Sequence, residues 1–166
     1  MLPALARAQG YRDNLPLPLN EILQNMTSYC ETQDFERLKK ATTLLHPVTS
    51  ALAKEDAALA QDMDKAIASK DGPGALIVVH RLAWADVREL FALAEKSDSD
   101  ASRHIKAAYL EYTVISPTMQ NRSFAADQHI KNAFRKATVS DLPAADRHAL
   151  LADITSNAFK AYPVLK

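Results

Sequence analysis

Five histidines are the residues of this sequence best suited to metal chemistry. They are His46, His80, His104, His129 and His148. No two of them stand three or four residues apart, so no single helix can coordinate a metal ion with two imidazoles. The Glu-x-x-His unit of di-iron helical bundles is also missing. A metal site would therefore have to collect its ligands from different helices.

Three side chains are the candidate ligands of such a site: His80, His104 and Glu111. The four-residue spacing between His80 and Trp84 places the imidazole on an inward-facing side of its helix. His104 and Glu111 are seven residues apart and share a helix face, where Glu111 could supply a carboxylate to a polar pocket. A buried histidine bonded to a backbone carbonyl and a solvated carboxylate are the structural alternatives. The metal ion would be iron or copper.

Motifs for other chemistry are missing. The sequence has no Gly-x-Ser-x-Gly elbow, no glycine-rich phosphate loop and no His-Glu-x-x-His. Cys30 is the only cysteine, which excludes an internal disulfide and a Cys-x-x-Cys site, and we interpret it as a small core residue. The acids around Asp56 and Asp62, and the cationic stripe that contains Arg81, are typical of water-facing helix surfaces.

The composition favours helices. Only three of 166 residues are glycine, and the apolar residues are rich in the strong helix formers alanine and leucine. The 20 basic and 20 acidic residues balance, which argues against nucleic acid as a partner. No apolar run reaches 18 residues, so no direct membrane span is predicted.

Apolar residues recur every three to four positions along most of the chain, which predicts an all-α fold, an antiparallel bundle of about five to six helices. The expected helices cover about 19–31, a segment that Thr32 or Asp34 caps and that breaks at His46, then 48–70, 75–96, 101–119, 123–137 and a last segment that Ser140 or Asp141 opens and Pro163 ends. Two sites should interrupt the pattern: Lys70–Gly74 should stop one helix, and Pro117 should kink or split another. Leu76, Ala83, Val87, Leu90 and Ala94 form the clearest apolar stripe. Residues 19–166 are expected to form one domain.

The amino-terminal segment is expected to be a signal-peptide remnant and an extended arm over residues 1–18. Ala6-Arg7-Ala8 fits the small-x-small pattern that precedes a signal-peptidase cleavage site. This pattern predicts export to the periplasm, with the cytoplasm as the alternative compartment.

A stretch of about 35 residues resembles the extracytoplasmic helical domain of bacterial high-affinity iron permeases. The resemblance is carried by Ala108-Tyr109-Leu110-Glu111-Tyr112-Thr113-Val114-Ile115-Ser116-Pro117 and by Ala133-Phe134-Arg135-Lys136-Ala137. Ser116 stands where that family has a glutamate before the proline, and Val114 and Ile115 replace acidic positions. The resemblance implies a periplasmic helical bundle that handles a metal ion or docks on a membrane partner, with Glu111 at an acidic position of the family.

These observations lead to one functional hypothesis and two alternatives. The leading one is an exported, non-enzymatic accessory or binding protein, in its favoured version for iron at the cell envelope. Its partner would be a protein, such as a membrane protein or complex, bound at a seam that exposes Tyr109, Tyr112 or Trp84, since aromatic residues concentrate at interface cores. The alternatives are a structural subunit without a ligand of its own and a cofactor-binding enzyme that uses the bundle interior.

Overall fold

Eight α-helices account for nearly all regular structure in the computed structural model of the chain, which describes residues 11–139 and 141–166. Helices make up 79% of the structure, and its described residues contain no strand, so the all-α prediction is confirmed. The helices are α1 (Leu19–Thr32), α2 (Phe35–Leu44), α3 (His46–Leu52), α4 (Leu59–Ala68), α5 (Gly72–Lys96), α6 (Ala101–Arg122), α7 (Phe124–Ala137) and α8 (Ala144–Ala161), followed by a 3-10 turn at Pro163–Leu165.

The chain divides into two compact units, one ending at Ala85 and the other running from Asp86 to Lys166. The boundary lies inside α5. None of the helices within the described residues combines enough length with enough apolar character to cross a bilayer.

In the described part of the first unit, residues 11–14 form turns, and Tyr11 is buried. The predicted cleavage site at Ala6-Arg7-Ala8 lies outside the described residues, and it stays a prediction. Between α1 and α2, Gln33 takes the left-handed conformation at φ 57° and Asp34 caps α2 by accepting a hydrogen bond from Arg37 N at 3.1 Å. These two residues explain why the first helix ends and the next begins within three positions.

More helices form than the expected five to six, partly because residues 48–70 do not form one continuous helix. They divide into α3 and α4, with a turn between them. Asp56 lies in that turn, where its carboxylate accepts hydrogen bonds from Ala58 N at 3.1 Å and from Arg81 at 2.8 Å. An aspartate that bonds nearby backbone N–H groups competes with helix continuation, and apolar periodicity does not show this.

The segment Lys70–Gly74, which was expected to end a helix, also begins the next helix, α5. Lys70, and not a glycine, takes the left-handed position at φ 55°. Asp71 Oδ1 then accepts a hydrogen bond from Gly74 N at 2.9 Å, and Pro73 sits in the first turn of α5, where its missing N–H costs nothing. Gly72 begins α5 next to the end of α1. A Cβ at this position would lie 2.7 Å from the carbonyl oxygen of Cys30, so the close approach of the two helices favours a glycine.

Helix α5 is buried on almost every side between Val78 and Ala94. The predicted stripe is largely correct, since Ala83, Val87 and Ala94 are fully buried and Leu90 nearly so, while Leu76 is half-buried. The predicted core residues Cys30, Met26, Met63 and Met119 are also buried. A helix that is buried on all sides lies within a hydrophobic core, whereas a surface helix buries only one of its faces.

The second unit contains three long helices that alternate in direction. Along α6 and α7, Ser102 bonds Thr138, Tyr112 contacts Phe134, and Ser116 bonds Asp127, so the partner number falls as the α6 number rises. Helix α7 is therefore antiparallel to α6. At opposite ends of α8, Arg147 pairs with Asp98, next to the start of α6, and Tyr162 stacks under Arg122 at the end of α6.

Helix α8 therefore runs parallel to α6 and antiparallel to α7, as predicted for neighbouring helices joined by short loops. Helix α6 continues through Pro117 without ending, so the expected split does not occur. Ser123 begins α7 as predicted, with its hydroxyl accepting a hydrogen bond from Ala126 N at 3.2 Å.

Candidate functional site

The three predicted metal ligands are all buried. His80 is 1% exposed in the first unit, and His104 and Glu111 are each 6% exposed in the second. Over residues 11–139 and 141–166, no group of three or more His, Cys, Asp or Glu side chains is placed to hold a metal ion. The metal site therefore stays a prediction from the sequence, and the geometry adds no support to it.

Two other histidines form exposed ion pairs between helices of the second unit. His129 Nε2 lies 2.5 Å from Asp153 Oδ2 and joins α7 to α8. His148 Nδ1 lies 2.6 Å from Glu95 Oε1 and joins α8 to the end of α5. Exposed pairs of this kind contribute little to stability, and each has a single carboxylate partner among the described contacts.

The strongest site in the second unit is an open groove between α6 and α7, with a cavity volume of about 550 Å³. That volume falls within the range of small-molecule pockets. Its lining residues recur at helical spacing on the two facing helices: Lys106, Tyr109 and Leu110 on α6, and Lys131, Asn132, Phe134 and Arg135 on α7, with Thr138 at the end of α7. We call this the α6–α7 groove.

Aromatic rings form the apolar part of the α6–α7 groove. Phe134 is almost fully buried, and its ring meets Tyr109 edge-on, with centroids 5.5 Å apart and planes at 63°. Tyr112 and Phe91 pack against the same ring from within the unit, at centroid distances of 5.5 and 5.7 Å. Phe134 is held by three other rings and is only 1% exposed, so it supports the Tyr109 ring from within the unit. The half-buried Tyr109 is the aromatic side chain that is open to a planar ligand.

The polar part of the groove is cationic. Lys106, Lys131 and Arg135 line it, and none of its eight lining residues is acidic. Arg135 Nη2 donates to the amide oxygen of Asn132 at 3.1 Å, which orients the guanidinium along α7. A local excess of positive charge in a chain with zero net charge is a specific feature of this surface.

Lys131 connects the groove to a buried carboxylate. Its Nζ lies 2.7 Å from Asp127 Oδ2, and Asp127 is fully buried. The other oxygen, Asp127 Oδ1, accepts hydrogen bonds from the Tyr112 hydroxyl at 2.7 Å and the Ser116 hydroxyl at 2.8 Å. We call these four residues the Asp127 network.

Electrostatics keep Asp127 ionised inside the unit. Burial alone would raise the pKa of its carboxyl, but the hydrogen bonds from Lys131, Tyr112 and Ser116 outweigh burial and hold that pKa below its usual value. The pKa of Tyr112 is raised well above its ordinary range by burial and by its bond to the carboxylate. Tyr112 therefore stays a protonated donor, and the network holds the Lys131 ammonium at a fixed place in the groove wall.

Two cavities of the first unit have less suitable linings. One of about 370 Å³ includes Thr42, Thr43 and Thr49, whose hydroxyls donate to carbonyls of their own helices. Another, of about 280 Å³, includes Arg81 and Asp62, which already bind each other at 2.7 Å. Polar groups that are committed within the fold are less able to orient a ligand.

Arg81 was predicted to lie on a solvated helix face with weak ion pairs, but in the structure it binds two carboxylates. Nε and Nη2 each bind Asp56 at 2.8 Å, and Nη1 binds Asp62 at 2.7 Å. Desolvation would lower the pKa of the guanidinium, but the two carboxylates raise it overall, and Arg81 lowers the pKa of Asp62 in return. This fork ties the α3–α4 turn and α4 to α5, so we interpret it as a structural clamp.

The expected aromatic seam is only partly exposed. Tyr109 is half-buried and lines the α6–α7 groove. Tyr112 and Trp84 are fully buried, so the prediction that they form a partner surface is wrong. The cations of the groove were missed, although Lys131 and Arg135 stand four residues apart beside Phe134. That spacing on one helix face was the available signal.

No family model, curated protein or solved structure matches the chain. The resemblance of residues 108–117 and 133–137 to iron-permease domains therefore stays a prediction. Tyr109, Leu110, Phe134 and Arg135 of those stretches line the α6–α7 groove.

Proposed function

We propose that this chain is a binding protein, without catalytic chemistry of its own, that holds a small organic molecule in the α6–α7 groove. The observation that carries the proposal is the combination of an apolar wall at Tyr109 and Leu110, with Tyr109 packed edge-on against the buried Phe134, and cationic groups at the edges of that wall. Apolar lining with a few placed polar groups is the usual composition of a ligand site.

The surroundings of the groove support binding rather than turnover. The titratable groups next to it have partners that fix their protonation: Asp127 is held ionised and Tyr112 is held neutral. A general acid or base works best with a pKa near the operating pH, and both shifts move the groups away from it.

The test uses two naphthyl probes of the same shape, 2-naphthoate and 2-naphthylmethanol. Amide chemical-shift changes on titration should concentrate in 106–112 and 131–138 for at least one probe. The variant Asn132→Trp, which places an indole in the groove at an exposed position, should abolish those changes, and Lys136→Trp, on the adjacent exposed position outside the lining, should not. Shift changes elsewhere only, or changes that persist in Asn132→Trp, would reject the groove as a binding site.

We also propose an envelope location for this binding protein, supported by the Ala6-Arg7-Ala8 pattern. Sequencing the amino terminus of the protein purified from its native cells tests this. A mature chain that begins at Gln9 supports export, and a chain that retains Met1 in the soluble cytosolic fraction rejects it. The iron-handling version and the alternative of a structural subunit stay predictions, and the groove depends on neither.

A further inference from the structure

The charge of the α6–α7 groove points to the class of molecule that it accepts. Three cationic side chains and no acidic one line it, so the lining favours an anion over a cation. Two of the cations are also oriented before any ligand arrives, Lys131 by Asp127 and Arg135 by the amide of Asn132. Cations that are held in place lose less side-chain entropy on binding an anion than mobile ones do.

Lys131 keeps capacity for a ligand although it is paired with Asp127. An ammonium group has three N–H donors, and the recorded contact with Asp127 Oδ2 engages one of them. Lys131 lines the groove and is a quarter exposed, whereas the aspartate is fully buried. A ligand carboxylate can therefore bind Lys131 without displacing Asp127.

The length of the groove limits the ligand. On α7 its lining runs from Lys131 to Thr138, and seven residues of α-helix span roughly 10 Å. A bicyclic aromatic system with one carboxylate has about that length, whereas a fully extended long-chain fatty acid exceeds it. The half-buried Tyr109 ring favours a planar partner over a flexible chain, because ring stacking adds to apolar burial.

We infer that the occupant of the α6–α7 groove is an organic anion in which one carboxylate is attached to a planar aromatic ring system. The ring system lies on Tyr109, which the buried Phe134 supports, and the carboxylate binds the cations at the groove edge, Lys131, Arg135 and Lys106. This assignment rests on the proposed function, because it names the ligand class of the same groove.

Calorimetric titration at low ionic strength with four probes tests the assignment. The probes are 2-naphthoate, its neutral analogue 2-naphthylmethanol, the non-aromatic carboxylate octanoate and inorganic phosphate. The carboxylate should bind roughly tenfold more tightly than the alcohol, since bonds to a charged group exceed neutral ones. Octanoate and phosphate should each bind at least about tenfold more weakly than 2-naphthoate, because neither combines a ring with a charge.

Two variants and a matched control locate the charge. Lys106→Met and Arg135→Met remove exposed cations of the groove, and each should weaken 2-naphthoate by about two- to fivefold without changing 2-naphthylmethanol. Lys136→Met removes an exposed cation of the same helix outside the groove and should leave both affinities unchanged. All three positions are exposed, so the variants should fold.

The outcomes separate the ligand class from the binding function. Equal affinity for the carboxylate and the alcohol, with shift changes in the groove, overturns the anionic assignment and leaves the binding protein standing. If octanoate or phosphate binds as tightly as 2-naphthoate, the assignment of an aromatic ligand is wrong, and the proposed binding function still stands. If neither naphthyl probe binds in the groove, both the assignment and the proposed function fall.

Discussion

Replacing Tyr112 by phenylalanine removes one hydroxyl and tests the Asp127 network. The ring of Tyr112 is fully buried against Phe134, at a centroid distance of 5.5 Å, and phenylalanine keeps that packing. The lost interaction is the 2.7 Å bond to Asp127 Oδ1, which has an ionised acceptor. A hydrogen bond to a charged group contributes roughly 1.5–3 kcal/mol.

The expected loss lies at the lower end of that range. Asp127 keeps the hydrogen bond from Ser116 at 2.8 Å and the ion pair with Lys131 at 2.7 Å, so the carboxylate is not left unpaired in the interior. We therefore expect Tyr112→Phe to lower the free energy of unfolding by about 1.5–2 kcal/mol. For a chain of this size that corresponds to a fall in Tm of about 3–8 °C.

Urea unfolding at pH 7, followed by far-ultraviolet circular dichroism, measures this loss. Tyr109→Phe is the matched control, because Tyr109 lies on the same helix and contacts the same ring, and its loss should stay below about 0.5 kcal/mol. Ser116→Ala and the double variant complete a cycle. Since both hydroxyls bind the same oxygen, their effects should not add, and a coupling of at least about 0.5 kcal/mol is expected.

Acid should remove the difference between Tyr112→Phe and the parent chain. The folded pKa of Asp127 lies below its unfolded value, so the network stabilises fully above that unfolded value, near pH 4, and loses its effect as the pH falls through the folded pKa. A Tyr112→Phe loss under 0.5 kcal/mol at pH 7, or one that grows as the pH falls below 4, would refute the reasoning.

Three further predictions concern the first unit. Arg81→Met leaves Asp56 and Asp62 without their guanidinium, and urea unfolding should show a loss of about 1–3 kcal/mol, more than for an exposed ion pair because all three side chains are largely buried. Gly72→Ala places a Cβ 2.7 Å from the Cys30 carbonyl oxygen and should cost about 1–3 kcal/mol in the same assay. Burial raises the pKa of the Cys30 thiol to about 11, so a disulfide reagent at pH 8 should modify the folded chain more than about a hundredfold more slowly than the urea-unfolded chain.

The helices could be predicted because their signal is local. The residues at spacings of three and four in α1, including Ile22, Leu23, Met26 and Cys30, are the residues that the structure buries. Ser123 was predicted to begin its helix and Asp34 was one of two predicted caps, and both side chains cap their own backbone. Helix α8 instead begins at Ala144, after the predicted opening at Ser140 or Asp141. Both features depend on residues that are close in the sequence, so no knowledge of packing is needed.

The division of residues 48–70 into two helices was not predictable in the same way. Asp56 and Asp62 belong to the acids interpreted as a water-facing surface, and their partner is a residue 25 and 19 positions away. Only the packing of α5 brings Arg81 to both carboxylates. Apolar periodicity describes which face of a helix is buried, but it does not describe which polar side chains meet across helices.

The α6–α7 groove was also not predictable from apolar periodicity, because its polar side chains meet across two helices. Its cations belong to two helices, and Lys106 and Lys131 face one space only because α7 packs antiparallel to α6 in one register. The metal ligands were selected by residue type, and residue type alone favours histidine and glutamate over lysine and arginine. The sequence therefore directed attention to buried polar residues and away from the more exposed cations.

Position 116 shows how packing changes the meaning of a sequence resemblance. The iron-permease domains have a glutamate before the proline, and this chain has Ser116 before Pro117. In the structure the Ser116 hydroxyl donates to Asp127 Oδ1 at 2.8 Å, so a glutamate at 116 would bring a second carboxylate next to a fully buried one. Two carboxylates that share a buried site cannot both stay ionised, and the pKa of one would rise. A donor at position 116 therefore suits Asp127 better than a second carboxylate, and Ser116 belongs to the same network that fixes Lys131 in the groove wall.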